Sequence, residues 1–113
     1  MLKGSLQTAL VTTGIQTISS FSGTTEVGTF NGVVAYLNVT AASGTTPTLA
    51  VKLQDSPDKV TWYDIPGAAF TSMTTTGTQR ISAINIGAYV RAAITITGTT
   101  PSFTTNIQMV GIN

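Results

Sequence analysis

The sequence predicts an all-β fold, an antiparallel, jelly-roll-like β-sandwich of about eight short strands in one domain. Three observations lead to this prediction. Thr, Val and Ile are stiff at χ1 and suit a pleated sheet, and Thr alone occupies 23 of the 113 positions. Apolar residues alternate with polar ones at period two, and no window carries the apolar stripe of a long helix. Finally, 11 Gly and 4 Pro interrupt the chain at short intervals, as turns between strands require.

The strands predicted in the N-terminal half cover residues 6–13, 15–21, 33–40 and 48–55. The first two alternate weakly and are bounded by Gly14 and Gly23. The fourth alternates most clearly, with the charged Lys52 on its outer face, as in a half-buried antiparallel strand. The inward-facing residues predicted for the third and fourth strands are Leu37, Val39, Leu49, Val51 and Leu53.

The strands predicted in the C-terminal half cover residues 60–65, 78–84 and 88–97, with a last one around residues 103–109. Tyr89 and Arg91 alternate with apolar residues and are therefore expected to face outward. The inward-facing rows of the last two strands are Val90, Ala92, Ile94, Ile96, Phe103, Thr105, Ile107 and Met109.

A short internal repeat links the two halves of the chain. The segment Gly44-Thr45-Thr46-Pro47 recurs as Gly98-Thr99-Thr100-Pro101, at an offset of 54 residues. An apolar strand precedes and follows each copy, so each copy is predicted to be a hairpin loop, with Pro at a strand entrance. The repeat represents either common hairpin chemistry in a Thr-rich chain or two equivalent hairpins that face each other across the sandwich.

The composition excludes several classes of function. The chain has no His and no Cys, which removes imidazole bases, thiol nucleophiles, disulfides and zinc sites built from these residues. The net charge is +1 and the five basic residues are dispersed, so no basic field is available for nucleic acid or an anionic membrane. No apolar run approaches a membrane span, and no signal-peptide core follows the first Met. We therefore expect no enzymatic activity, no cofactor and no nucleic-acid or membrane partner.

The acidic residues do not predict a metal site. Asp55 and Asp58 flank a Ser-Pro turn, and Asp64 follows the next short strand. This spacing matches no calcium loop, and Asp in a turn usually accepts hydrogen bonds from its own backbone. With Glu26 as the fourth acid, a facing pair of glycosidase carboxylates is not expected either.

The candidate interface residues are aromatic and arginine side chains. Trp62 and Tyr63 are adjacent, so one ring is expected in the core and the other at the surface. Trp62 either closes one end of the core, or an exposed ring stacks on a sugar or anchors a protein interface. Arg80 and Arg91 either contribute to a similar interface with Tyr89 or are solvated. The candidate interface set is Tyr63, Tyr89 and Arg91.

The central part of the chain resembles a known group of proteins. The resemblance rests on residues 51–65 (VKLQDSPDKVTWYDI), 68–70, 78–81 and 86–91, and covers roughly residues 38–105. These segments resemble small β-sandwich virion structural proteins of tailed bacteriophages, of the head decoration or cement type. More loosely, they are similar to discoidin-like jelly rolls, which bind carbohydrate. Proteins of this kind usually carry Gly after the turn Asp, where this chain has Lys59. The difference affects the expectation of a left-handed turn, which Gly adopts most readily, but not the expected fold. No ligand residues carry over.

The resemblance implies a non-enzymatic decoration protein on the outer head surface of a virion. Its partners would be the major capsid protein and further copies of itself, as a trimer. The alternative is a carbohydrate-binding or host-adhesion module on a virion tail or fibre. The low number of charged residues suits a protein that packs against neighbours, because removing ions from water is costly. Residues 1–21 are expected to form an N-terminal arm or an edge strand.

Overall fold

A computed structural model of the chain describes residues 7–28 and 30–112. All its regular secondary structure is β, so the predicted all-β fold is confirmed. Among the described residues no helix is long and apolar enough to cross a membrane. The strands are β1 (Gln7–Gln16), β2 (Ser20–Phe21), β3 (Thr25–Glu26), β4 (Gly32–Ser56), β5 (Tyr63–Ala69), β6 (Gly77–Ile84) and β7 (Tyr89–Ile112).

Two long strands organise the fold. β4 and β7 pair in antiparallel fashion along their whole length, from Gly32 opposite Ile112 to Ser56 opposite Tyr89. Each of them covers two of the short strands predicted from the sequence. Their neighbours change halfway along, and this change defines two layers. In layer 1, residues 32–43 and 102–112 are flanked by β1 and β6. In layer 2, residues 48–56 and 89–97 are flanked by β5 on one side and by β2 and β3 on the other.

The repeated Gly-Thr-Thr-Pro segments lie where the two layers meet. Thr45 pairs with Thr99, and the register shifts on both sides of this pair. The prediction that each copy closes a hairpin is therefore wrong. Gly44 and Gly98 have φ of 118° and 119°, and Thr46 and Thr100 have φ of 47° and 46°. Positive φ values redirect a strand without ending it, so both long strands bend together. The two copies are equivalent, as the sharper interpretation proposed, but as paired bends.

The inner faces of both layers form one apolar cluster. The rows predicted to face inward are buried on β4 and on β7, because period-two alternation fixes which face each residue occupies. Leu10 and Val11 of β1 also belong to the cluster, so a truncation that tests an N-terminal arm must leave both in place. Of residues 1–21, predicted as an N-terminal arm or edge strand, Gln7–Gln16 form β1 and pair with β7, and residues 1–6 lie outside the described part of the chain. The predicted core residues Leu49, Val51, Leu53, Val90, Ile94, Ile96 and Ile107 are all in the cluster.

Candidate interaction surface

The outer face of layer 2 carries a group of polar and aromatic residues that the fold leaves outside the core. On β7, Arg91 alternates with buried Val90 and Ala92 and therefore points away from the core. The register places Gln54 of β4 opposite both Arg91 and Asp64 of β5. Three neighbouring strands thus contribute one polar side chain each to a row that crosses the layer.

Arg91 is stacked between two aromatic rings. Its guanidinium carbon lies 3.8 Å from the centre of the Phe21 ring and 4.3 Å from that of Trp62. A planar guanidinium stacks on aromatic faces and can contact two rings at once, with a parallel geometry that the compact ammonium group of Lys lacks. Phe21 belongs to β2 and Trp62 precedes β5, so Arg91 connects rings from opposite edges of the layer. We call Phe21, Arg91 and Trp62 the aromatic–arginine stack.

A chain of hydrogen bonds extends from the stack across the layer. Arg91 Nε donates to Gln54 Oε1, and Gln54 Nε2 donates to Asp64 Oδ1, each at 2.9 Å. Lys52 Nζ donates to Asp64 Oδ2, also at 2.9 Å. The hydrogen bond from Gln54 and, after it, the one from Lys52 lower the pKa of Asp64. Exposed ion pairs add little to the stability of the fold. The row of hydrogen bonds nevertheless holds these side chains in one geometry, which would lower the entropy cost of binding a partner.

A second cation–aromatic contact lies at one end of this face. Lys59 Nζ lies 5.0 Å from the centre of the Tyr89 ring, and Tyr89 shares the outer side of β7 with Arg91. Lys59 has φ of 67°. The turn therefore has the left-handed conformation that Gly adopts most readily, although this chain carries Lys.

The predicted interface residues are only partly brought together. Tyr89 and Arg91 share one face, while Tyr63 is 58% exposed and adjacent to Asp64 on β5, so it points to the opposite side. The expectation of one ring in the core is wrong, because neither Trp62 nor Tyr63 belongs to the apolar cluster. Trp62 precedes the first residue of β5, so strand alternation does not place its side chain, and it stacks on Arg91 instead.

Sequence reasoning missed Phe21, which completes the stack. Its partner strand lies far away along the chain: Phe21 pairs with Ala93. Only the exposure of this ring, 60%, marks it as unusual for a Phe. No local sequence signal indicates that it lies beside Arg91.

The carboxylates have separate partners. Asp58 Oδ1 accepts hydrogen bonds from the backbone N–H groups of Val60 at 2.8 Å and Thr61 at 3.0 Å, and from Ser56 Oγ at 3.0 Å. Asp55 Oδ2 accepts one from the N–H of Gly87 at 2.9 Å. Within residues 7–28 and 30–112, no three or more acidic residues cluster as a metal ion would require. These contacts assign the two residues to turn and loop geometry.

Stability is expected to fall in acid through Asp58. The backbone N–H groups of Thr61 and Val60 lower the pKa of Asp58 below its usual 3.8. A lowered pKa in the folded state means that this stabilisation is complete above the usual value and is lost as pH falls through the folded pKa. Asp58→Asn should therefore flatten the dependence of Tm on pH below about pH 4. Asp58→Ala should lower Tm across the whole range, since it removes the acceptor; an unchanged acid slope in Asp58→Asn would contradict this.

Arg91→Lys is expected to loosen the stack around the single Trp of the chain. Lysine keeps the charge but loses the planar contact and the bond to Gln54, at a cost of about 1 kcal/mol. Trp62 fluorescence should shift to longer wavelength, because the indole gains contact with water. Arg80→Lys, on layer 1, is the matched control and should leave the spectrum unchanged. Superimposable spectra for the parent and Arg91→Lys would contradict the stack.

The fold has counterparts among solved structures, whereas no protein-family model and no curated protein sequence matches the chain. The PBSX exported protein XepA aligns with a TM-score of 0.67 and 11% identity over 96% of this chain and 38% of that one. The SPBc2 prophage-derived protein YomS aligns with a TM-score of 0.55 and 14% identity, and the alignment covers 93% of each chain. A protein of Bacillus endospore appendages, described as disulfide-linked pili, aligns with a TM-score of 0.54 and 9% identity over 99% of this chain and 94% of that one.

These similarities establish the fold. At such identities the three proteins share with this chain a β-sandwich architecture, and a shared fold does not by itself transfer a function. The chain spans 38% of the length of XepA, so it corresponds to one part of that larger protein. Two of the three are named as products of PBSX and of the SPBc2 prophage.

Proposed function

We propose that the chain is a non-enzymatic virion structural protein of a tailed phage, which stabilises the head shell by binding the major capsid protein. The observation that carries this proposal is the aromatic–arginine stack on the outer face of layer 2, in which Phe21 is exposed and Arg91 and Trp62 are half-buried. The resemblance of residues 38–105 to phage decoration proteins supports it. So does a fold shared with proteins named as PBSX and prophage products.

The stack has the composition of an interface centre. Trp and Arg are enriched among residues that dominate binding energy. Here the hydrogen bond to Gln54 already fixes the arginine, so little rotamer freedom is lost on docking. The stack also offers apolar surface to a partner, because the Phe21 ring is 60% exposed, which is unusual for a Phe.

The charges on this face already have partners, which supports the same proposal. Lys52 and Asp64 form an ion pair, and Arg91 is held by Gln54 and two rings. Because a charge that keeps its partner is less costly to bury, packing this face against a shell leaves no ion uncompensated among these three residues. Several copies tethered to one lattice can be retained by modest contacts, because multiple attachment raises the effective affinity. We propose that the copies form trimers on the outer head surface.

Immunogold labelling of purified virions tests the location. Particles of the source phage should carry label on the heads, and light scattering of the purified protein should give the mass of a trimer. Added back to heads that lack it, the parent should co-sediment with them. Phe21→Ala and Arg91→Ala should reduce this binding, while Ile84→Ala, an exposed apolar residue on layer 1, should not. Label confined to tails or fibres would instead support the adhesion alternative.

A further inference from the structure

The outer face of layer 1 holds an open groove that the proposed function does not use. Its volume is about 620 Å³. Outward-facing side chains of β4, β6 and β7 line it, and the residues on which the argument rests are Tyr36, Asn38, Thr78, Arg80, Asn106 and Gln108.

The strand register builds the floor of the groove as two rows. In the first row, Tyr36 of β4 lies between Arg80 of β6 and Gln108 of β7. Strands are spaced by about 4.8 Å and alternate residues by about 6.8 Å, so each row crosses roughly 10 Å of surface. The buried residues Leu37 and Ile107 point inward between the rows, which anchors the floor to the core.

The second row places two asparagines side by side. Asn38 of β4 lies opposite Thr78 of β6 and Asn106 of β7. Asn is depleted in strands, and here two of them face each other on the two central strands of a layer. Several other outward positions of these strands carry Thr, as at Thr48 opposite Thr97. A departure from local preference that brings no packing gain is typical of a functional site.

Most polar side chains of the groove have few hydrogen-bond partners among the described residues, although Gln79, which also lines it, is joined to the backbone of Thr71. Among the described residues, no hydrogen bond involves the side chains of Tyr36, Asn38, Arg80 or Gln108, and Asn106 Nδ2 has one long contact of 3.4 Å to Thr13 Oγ1. On layer 2, by contrast, Arg91 is hydrogen-bonded to Gln54 and Gln54 to Asp64, each at 2.9 Å. The groove therefore presents donors and acceptors to a ligand, whereas layer 2 pairs them internally.

The chemistry of the lining selects the class of ligand. Each amide both donates and accepts, as does each hydroxyl group of a sugar, and a tyrosine ring can pack against the apolar face of a pyranose. Among the described residues, Arg80 is the one charged residue in the lining, which is fewer cations than a polyanion requires. We infer that the outer face of layer 1 binds a neutral glycan, with Tyr36 as the stacking platform and Asn38, Asn106 and Gln108 as hydrogen-bonding residues.

This inference goes beyond the proposed function and stands on a different face. A copy attached to a shell through layer 2 can present layer 1 to the surroundings. The glycan site needs no capsid, and capsid binding needs no glycan. The two can therefore fail separately.

Affinity electrophoresis of the full chain tests the inference. The gels contain a soluble neutral polysaccharide (dextran, mannan, galactomannan or mixed-linkage β-glucan) or an anionic one (polygalacturonate), and a printed glycan array is run in parallel. At least one neutral polysaccharide should retard the protein, and polygalacturonate should not. Gln108→Ala and Asn38→Ala should weaken binding about five- to tenfold each, and Tyr36→Ala at least as much. Tyr36→Phe, which keeps the ring, should weaken it less than Tyr36→Ala.

Gln54→Ala is the matched control, since it removes a glutamine from the outer face of the other layer. It should leave retardation unchanged, and circular dichroism should show every variant folded; Gln108 and Arg80 are exposed, so their replacement removes no core contact. The inference is overturned if no neutral glycan binds in either assay, if only polygalacturonate binds, or if Gln108→Ala and Asn38→Ala bind like the parent. Co-sedimentation of Gln108→Ala with heads that lack the protein should equal that of the parent in any of these cases.

Discussion

Gly44→Ala and Gly98→Ala are each expected to destabilise the domain by at least about 3 kcal/mol, a large share of the stability of a small domain. Both glycines have φ close to 119°, which side-chain-bearing residues rarely adopt. A Cβ at Gly44 would lie 2.8 Å from the carbonyl oxygen of Thr100, and one at Gly98 would lie 2.7 Å from that of Thr46. The obstructing atoms are backbone atoms of the paired bend and cannot rotate away.

Urea denaturation separates the two causes of this effect. Gly67 has φ of 75°, but no atom lies within 4 Å of a Cβ built there, so Gly67→Ala reports the backbone strain alone, at about 1–2 kcal/mol. Gly23→Ala meets nothing within 4 Å and should change stability by less than about 1 kcal/mol. If Gly44→Ala unfolded at the same urea concentration as Gly67→Ala, the close approach of the two bends would be disproved.

Substitutions in the two bends should lower stability by similar amounts, because each bend packs against the other. Gly44 faces Thr100 and Gly98 faces Thr46, in agreement with the local twofold relation of the repeat. The two threonines reinforce this relation: Thr46 Oγ1 and Thr100 Oγ1 each donate to the preceding carbonyl at 2.8 Å. The double variant should therefore cost less than the sum of the single ones, since the contact is shared.

The inward rows could be predicted from the sequence because alternation is a local property. Leu53 and Ile94 are buried where the period-two pattern places them, and no knowledge of the partner strand was needed. The bends could not be predicted in the same way. Gly and Pro signal a change of direction in a hairpin and in a bent strand alike, and only the pairing of Thr45 with Thr99 distinguishes the two.

The candidate surfaces depend on contacts between distant parts of the chain. Alternation on β7 places Tyr89 beside Arg91, but the Phe21 contact depends on the pairing of β2 with β7. The groove likewise depends on the register that sets Asn38 opposite Asn106. A shift of that register by one residue would exchange the faces, and the two amides would no longer be neighbours. Sequence therefore indicates which residue types are outward, while the register determines which of them meet.

The core prediction with the largest expected effect concerns Phe103. Its ring is fully buried, at 0% exposure, within the cluster that both layers share. Phe103→Ala should cost about 3–5 kcal/mol, from lost apolar burial and the cavity left behind. A small domain is stable by only about 5–15 kcal/mol, so the urea midpoint should fall by a large fraction. A neighbouring control is provided by Thr104→Ala, which lies on the other side of β7 and should cost less than about 1 kcal/mol.

Ile94 and Thr95 test the same alternation in layer 2. Ile94 is 3% exposed and belongs to the shared cluster, and Thr95 points outward. Ile94→Ala should cost about 2–5 kcal/mol, and Thr95→Ala less than about 1 kcal/mol. Because a slip of one residue would interchange the two faces, the difference between these adjacent positions measures the β4–β7 register directly. Equal midpoints for the two variants, or a larger loss for Thr95→Ala, would show that the register is displaced. The positions assigned to the aromatic–arginine stack and to the groove would then be wrong as well, since both follow from it.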